Sequence, residues 1–259
     1  MKISTDGLVI REQNIKEQDK LITVLTRSNG VIRAFVHGAK SIKSPKSTAT
    51  GLLTYSRFVF YKSRESYIID ECSAKEVFMP LRRDIEKLAL AQYFCELLEA
   101  LSPEYDNAEE QLRLVLNSLY FLCQDTRHPV LIKSILELRL LTLSGYMPNL
   151  VCCDGCACFE HEHMNFLPEN GILVCGDCIG SYKQRHIETG FGVTLAMRHC
   201  IYSEFNKLFA FDLSKEALPV LEYVTEEYMS AHIQRKFKAL EFYKQIRTFD
   251  TGEKSGETG

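Results

Sequence analysis

The sequence predicts a multidomain α+β chain: a small five-stranded antiparallel β-barrel at the N-terminus, then an α-helical domain with an inserted four-cysteine metal segment. Three observations predict it. Strand-like runs with a hairpin signal fill the region before Pro80, the apolar spacing changes to a period of 3.6 after it, and two Cys-x-x-Cys pairs interrupt the helical pattern. The expected divisions are a barrel domain at 1–79, a helical domain at 80–249 with its insertion at about 150–182, and a disordered tail at 250–259.

The strands come first. Leu8-Val9-Ile10 opens one, and Lys20 to Thr26 is a second, rich in β-branched residues. Ser28-Asn29-Gly30 is a hairpin turn, because Asn-Gly supplies the positive-φ residues that such turns require. Val31 to His37, Thr54 to Lys62 and Tyr67 to Cys72 complete five. Short antiparallel strands at this spacing fit a barrel of the OB type, with a generic β-sandwich as the alternative. Arg33, Phe35 and His37 alternate onto one face of the third strand, and Tyr55, Arg57 and Tyr61 onto one face of the fourth. Aromatics set among cations suit a platform that stacks bases and holds phosphates, although a single such aromatic more often fills a core. The segment Gly38 to Ser47 is basic, serine-rich and broken by Pro45, which marks either a solvated connector or a phosphate-gripping arm.

Helical stripes follow. Ile85, Leu88, Ala89, Tyr93, Leu97 and Leu101 mark the first, and Leu112 through Leu122 a second. Pro129 suits the first position of a third helix, which ends at a Gly145 cap. The pattern resumes near Gly190 and continues through 218–229 and 230–249.

Cys153-Asp154-Gly155-Cys156 and Cys175-Gly176-Asp177-Cys178, with 18 residues between them, have the spacing of a single tetrahedral zinc site. Cys152, Cys158, His161 and His163 remain open as substitutes for one of the four ligands. A four-thiolate zinc is coordinatively closed, so one structural Zn2+ is expected to hold a fold and not to activate water. Phosphate-loop, nucleophile-elbow and zinc-protease motifs are missing from the sequence, so no enzyme is expected.

Net charge is −3, but it is unevenly spread. Residues 1–80 carry 13 Lys/Arg against 8 Asp/Glu, net +5, and the remainder 18 against 26, net −8. Polyanion contact is therefore expected at the N-terminal end. Ten cysteines without an export signal, and no apolar run of ~18–20 residues, point to a cytoplasmic chain without a membrane contact.

The order of these parts resembles the bacterial RecO family of recombination-mediator DNA repair proteins. Gly7-Leu8-Val9-Ile10-Arg11, Glu17-Gln18-Asp19-Lys20-Leu21, Leu25 through Gly30, Val36-His37-Gly38-Ala39-Lys40 and Gln234 through Leu240 carry the resemblance, which spans roughly residues 3–247. It implies a nucleoid-associated protein that binds single- and double-stranded DNA and anneals complementary strands. It implies contacts with RecR and with the acidic C-terminal tail of single-strand binding protein (SSB), and through them help in loading RecA. The candidate DNA-binding residues are Arg11, Lys20, Arg27, Arg33, Lys40, Lys43, Lys46 and Arg57. Arg113, Lys133 and Arg139 are the candidates for the SSB tail. The competing readings are a zinc-stabilised protein-interaction adaptor that does not touch DNA, and a metalloenzyme with an open metal position.

Overall fold

The computed structural model describes residues 2–15, 19–38, 45–63 and 66–253, and the side chains among them apart from 45 and 248–253. Strands β1 (Lys2–Asn14), β2 (Lys20–Thr26), β3 (Gly30–Val36), β4 (Tyr55–Lys62) and β5 (Tyr67–Glu76) close into a barrel in the order β1-β2-β3-β5-β4. All neighbours are antiparallel except β3 and β5, which meet in a short parallel pairing of Ala34 with Tyr67 and Phe35 with Ile68.

Alternation decides what fills the barrel. Ile22 and Val24 of β2, Ile32, Ala34 and Val36 of β3, Phe58 and Phe60 of β4, and Tyr67 and Ile69 of β5 form one buried cluster with Val9. The intervening residues Arg33, Arg57 and Tyr61 are exposed. A bulge at Ile10, between the pairs Val9–Val24 and Arg11–Thr23, bends the long first strand. The short helix α1 (Pro45–Ala49) lies between β3 and β4.

Helices α2 (Ile85–Leu101), α3 (Glu109–Gln124), α4 (Pro129–Leu143), α5 (Gly190–Tyr202), α6 (Ala217–His232) and α7 (Lys238–Glu253) make up most of the remainder. The first helix starts at Ile85, because a 3-10 turn occupies Met79–Arg83 and the Asp84 side chain caps the helix by accepting from the Lys87 N–H at 3.0 Å. Pro129 opens α4, where His128 accepts from the Val130 N–H, and Gly145 follows the helix end with φ +89°. The apolar pattern through 218–249 is two helices, since α6 ends at His232 and α7 begins at Lys238. Helix α7 runs to Glu253, past the end of its apolar stripe, as an established helix propagates more easily than it starts.

Between α4 and α5 lies a four-stranded sheet in the order β6-β8-β7-β9. Its strands are β6 (Asn149–Cys153), β7 (Met164–Leu167), β8 (Ile172–Cys175) and β9 (Ile187–Glu188). The chain divides into two compact units: residues 1–123 with 237–259, and residues 124–236. In the first unit α2 packs on α7, and Tyr93 meets Phe237 edge-on at 5.6 Å. In the second, α4 is buried on almost every side, as a helix that is apolar all round must be, and packs on α5 and α6.

Candidate functional site

The second unit holds a thiol cluster. The sulfurs of Cys153, Cys156, Cys175 and Cys178 all lie within 4.8 Å of one another, and those of Cys156 and Cys175 are 3.7 Å apart. Tetrahedral Zn–S bonds of ~2.3 Å would set neighbouring sulfurs about 3.8 Å apart. Strand β6 delivers Cys153 and its parallel neighbour β8 delivers Cys175, and each knuckle turns back to supply its second cysteine.

Backbone N–H groups are already turned toward the sulfurs. Cys153 Sγ accepts from the N–H of Gly155 at 3.4 Å and of Cys175 at 3.2 Å. Burial opposes ionisation of Cys153, but the N–H groups of Cys175, Cys156 and Gly155 bring its pKa down to about 6. The Cys158 N–H holds Cys156 low in the same way, whereas hydrogen bonds with Cys175 and Cys156 push Cys178 up. Without a cation four adjacent thiolates repel, and one ion relieves all four. The donor set fits a metal ion, and these four residues can hold one.

The two candidate histidines have other partners. His161 Nδ1 lies 3.0 Å from the His163 N–H, from which it can accept, and 3.0 Å from the His163 carbonyl, to which it can donate in the other tautomer; its Nε2 is 3.5 Å from Asp177, while His163 Nδ1 is 2.7 Å from Glu188. Cys158 stands beside the cluster, its pKa pushed up to about 12 by burial and by hydrogen bonds with Cys156 and Cys175. Two flanking residues stiffen the site. Tyr182 donates to Asp154 at 2.8 Å. Arg198 of α5, buried, donates from Nε to Leu150 O and from Nη2 to Val151 O and Phe159 O, with its guanidinium 4.0 Å from the Phe159 ring. It thereby ties the neck of the loop that carries Cys153 and Cys156. Its only signal in the sequence is a charge inside the apolar run Leu195 to Ile201.

The cationic candidates on the barrel are distributed over its outer surface. Arg11 and Arg33, both across from Thr23, converge on one oxygen of Glu99 in α2, at 3.1 and 3.9 Å. Arg57 and Lys75 share Asp6, at 3.4 and 2.8 Å. Lys20 pairs with Glu12 and Arg27 with Glu109. Lys46 on α1 donates to the Ile69 carbonyl at 3.4 Å. Lys40 and Lys43 lie outside the described residues.

A cleft of about 480 Å³ opens beside β3, lined by Arg33, Phe35, Lys62, Tyr67, Glu104 and Tyr105 among others. The outward alternation of β3 brings Arg33 and a half-buried Phe35 to it. Lys62, Glu104 and Tyr105 went unrecognised in the sequence, the last two because they lie on the loop between α2 and α3.

Among the candidates for an acidic tail, Lys133 needs correcting. It is not on a solvated helix face: it is fully buried in α4, with Glu137 at 3.0 Å, Glu226 at 2.9 Å and Glu222 at 3.9 Å. Arg139 donates to the carbonyls of Ile201 and Ser203 and lies 5.5 Å from the Phe205 ring. Arg113 is exposed on α3 in the other unit.

Comparison with known proteins gives a matching pair of assignments. Residues 1–78 match the family model "Recombination protein O N terminal", and residues 82–241 match "Recombination protein O C terminal". The chain belongs to the RecO family. Among its relatives, a DNA repair protein RecO of Acetivibrio thermocellus is 31% identical over 244 residues, covering 94% of this chain and 97% of the relative. Those of Symbiobacterium thermophilum and Clostridium kluyveri are each 28% identical, covering 95% of this chain and 98% and 95% of the relatives. RecO proteins are DNA repair proteins, and this chain is one by family. No helix among the described residues is long and apolar enough to cross a membrane.

Proposed function

We propose that this RecO-family chain is a recombination mediator that binds single- and double-stranded DNA, anneals complementary strands and, with RecR, helps load RecA onto SSB-coated single strands in the bacterial cytoplasm. The barrel, read as an OB fold at 1–79, is its DNA-binding part, followed by the helical part at 80–249 with the metal segment at about 150–182. The observation that carries this reading is the barrel-side cleft, which Arg33, Lys62 and Phe35 line together. Cations there take backbone phosphates, an aromatic takes a base, and neither reads sequence, so base edges stay free to find a complement.

Zinc is the ion we assign to Cys153, Cys156, Cys175 and Cys178, because four soft thiolates select it among common divalent ions. Its closed coordination supports a structural role and a protein that binds without breaking bonds. For the acidic SSB tail we retain Arg113 and Arg139 as separate candidates, one in each unit. Lys133 is excluded, because three carboxylates already surround it.

The test is annealing of two complementary oligonucleotides coated with cognate SSB, followed by fluorescence without nucleotide. Acceleration on coated strands is expected. Acceleration on bare strands alone would discard the tail contact, and none on either would favour the adaptor reading. Neutralising Lys40, Lys43 and Lys46 together should lower the salt slope of DNA binding by ~0.7–0.9 per lost phosphate contact; an unchanged slope removes that loop from the interface.

A further inference from the structure

Tyr105 is an exposed aromatic in a backbone conformation that is costly for its kind. It is 68% exposed, and its backbone sits at φ +63°, a left-handed conformation that bulky residues rarely adopt. Such strain persists only where surrounding contacts impose it. They do so here: the Val31 N–H donates to the Pro103 carbonyl at 3.0 Å, Gly30 bridges Glu104, and the Ala108 N–H donates to the Arg27 carbonyl at 3.0 Å. The tip of the β2–β3 hairpin therefore holds the loop on both sides of Tyr105. The ring that results lines the cleft with Phe35, Arg33, Lys62 and Glu104.

The volume, about 480 Å³, falls in the ~300–1,000 Å³ range of small-ligand sites. The two cations suit phosphates. Glu104 does not: its carboxylate repels a phosphate in the cleft, but it accepts hydrogen bonds from the exocyclic amines of cytosine and adenine. The lining thus fits a base together with its backbone phosphate.

We propose that this cleft is a pocket for one unstacked nucleobase, with Tyr105 as its stacking platform and Glu104 favouring a base that carries an exocyclic amine. This rests on the DNA-binding reading above and adds a preference for unpaired strands, since a base inside a duplex cannot enter.

The test uses the full chain and four labelled 12-residue ligands: oligo-dC, oligo-dT, an abasic phosphodiester strand and a mixed-sequence duplex. The wild type should bind oligo-dC tighter than oligo-dT, and oligo-dT tighter than the abasic strand. Tyr105→Ala should lose about 5- to 150-fold on oligo-dC, the effect of one lost base stack, with abasic-strand and duplex binding unchanged. Tyr105→Phe should restore oligo-dC binding, and Glu104→Gln should narrow the gap between oligo-dC and oligo-dT. Because glycine relieves the backbone strain, Tyr105→Gly should be as stable as the wild type or more so, and yet bind oligo-dC weakly. Equal losses on all four ligands, or none on oligo-dC, would overturn the pocket and leave the DNA-binding reading intact. A wild type that binds none of the four at low salt would overturn both.

Discussion

Gly30 and Pro103 are in such close contact that a side chain at Gly30 would drive its Cβ into the Pro103 carbonyl oxygen. Gly30 also has φ +59°, so both its conformation and its surroundings require glycine. This contact seats the loop that carries Tyr105. Gly30→Ala should combine a left-handed penalty of ~1–2 kcal/mol with an overpacking cost of ~1–3 kcal/mol. We expect a lower urea midpoint with an unchanged slope, and weaker single-strand binding from the displaced loop.

The buried group around Lys133 yields a second prediction. Lys133 and Glu137 are both fully buried, and Thr225 donates to Glu137 at 2.7 Å. Burial disfavours the ammonium, but Glu137, Glu226 and Glu222 outweigh it and hold the pKa above the usual lysine value. Lys133→Met should cost ~3–5 kcal/mol, because it leaves carboxylates uncompensated in the interior. Adding Glu137→Gln should recover part of that loss. Thermal unfolding of the two variants measures both effects, and equal loss in the double variant would argue against a charge origin.

These two cases mark what the sequence made legible. The barrel was readable because Phe58 and Phe60 alternate with Arg57 and Tyr61, and a period of two leaves no choice of face. The cysteine cluster was readable because both knuckles are local. The Lys133 site was not, since Glu222 and Glu226 come from α6, far along the chain, and a lone lysine in a helix ordinarily faces water. Strands β6 to β9 are two to five residues long, too short for a period to show. Tyr105 lies on a loop whose shape is imposed by contacts with β3.

Metal removal is the third test. Cys153 and Cys175 are both buried, and β6 pairs with β8 through Cys153. One zinc per chain is expected by elemental analysis. A strong chelator should make the segment 150–182 sensitive to protease and lower the melting temperature, because metal binding in such sites is coupled to folding. Cobalt substitution should give a tetrahedral four-thiolate spectrum that added anions do not change, whereas an anion-sensitive spectrum would reveal an open position. Cys153→Ser should reproduce the chelator effect, and Cys72→Ser should not, since Cys72 packs against the barrel core.

Asp6 should contribute to the acid limb of stability in the first unit. Burial raises its pKa, but the hydrogen bond and charge of Lys75, with the charges of Arg57 and Arg27, more than offset this and hold it below the usual carboxylate value. A carboxylate with a depressed folded pKa contributes stability that is fully present above its unfolded pKa of ~3.9 and is lost as pH falls through the folded value. The wild type should therefore lose stability below about pH 4, and Asp6→Asn should flatten that limb. Near neutral pH the variant should be less stable by about 1.5 kcal/mol, the low end for a hydrogen bond to a charged group, because Lys75 and Arg57 are half exposed and partly screened. Urea midpoints measured between pH 3 and pH 7 decide the matter: parallel curves for wild type and variant would show that Asp6 does not carry the acid response.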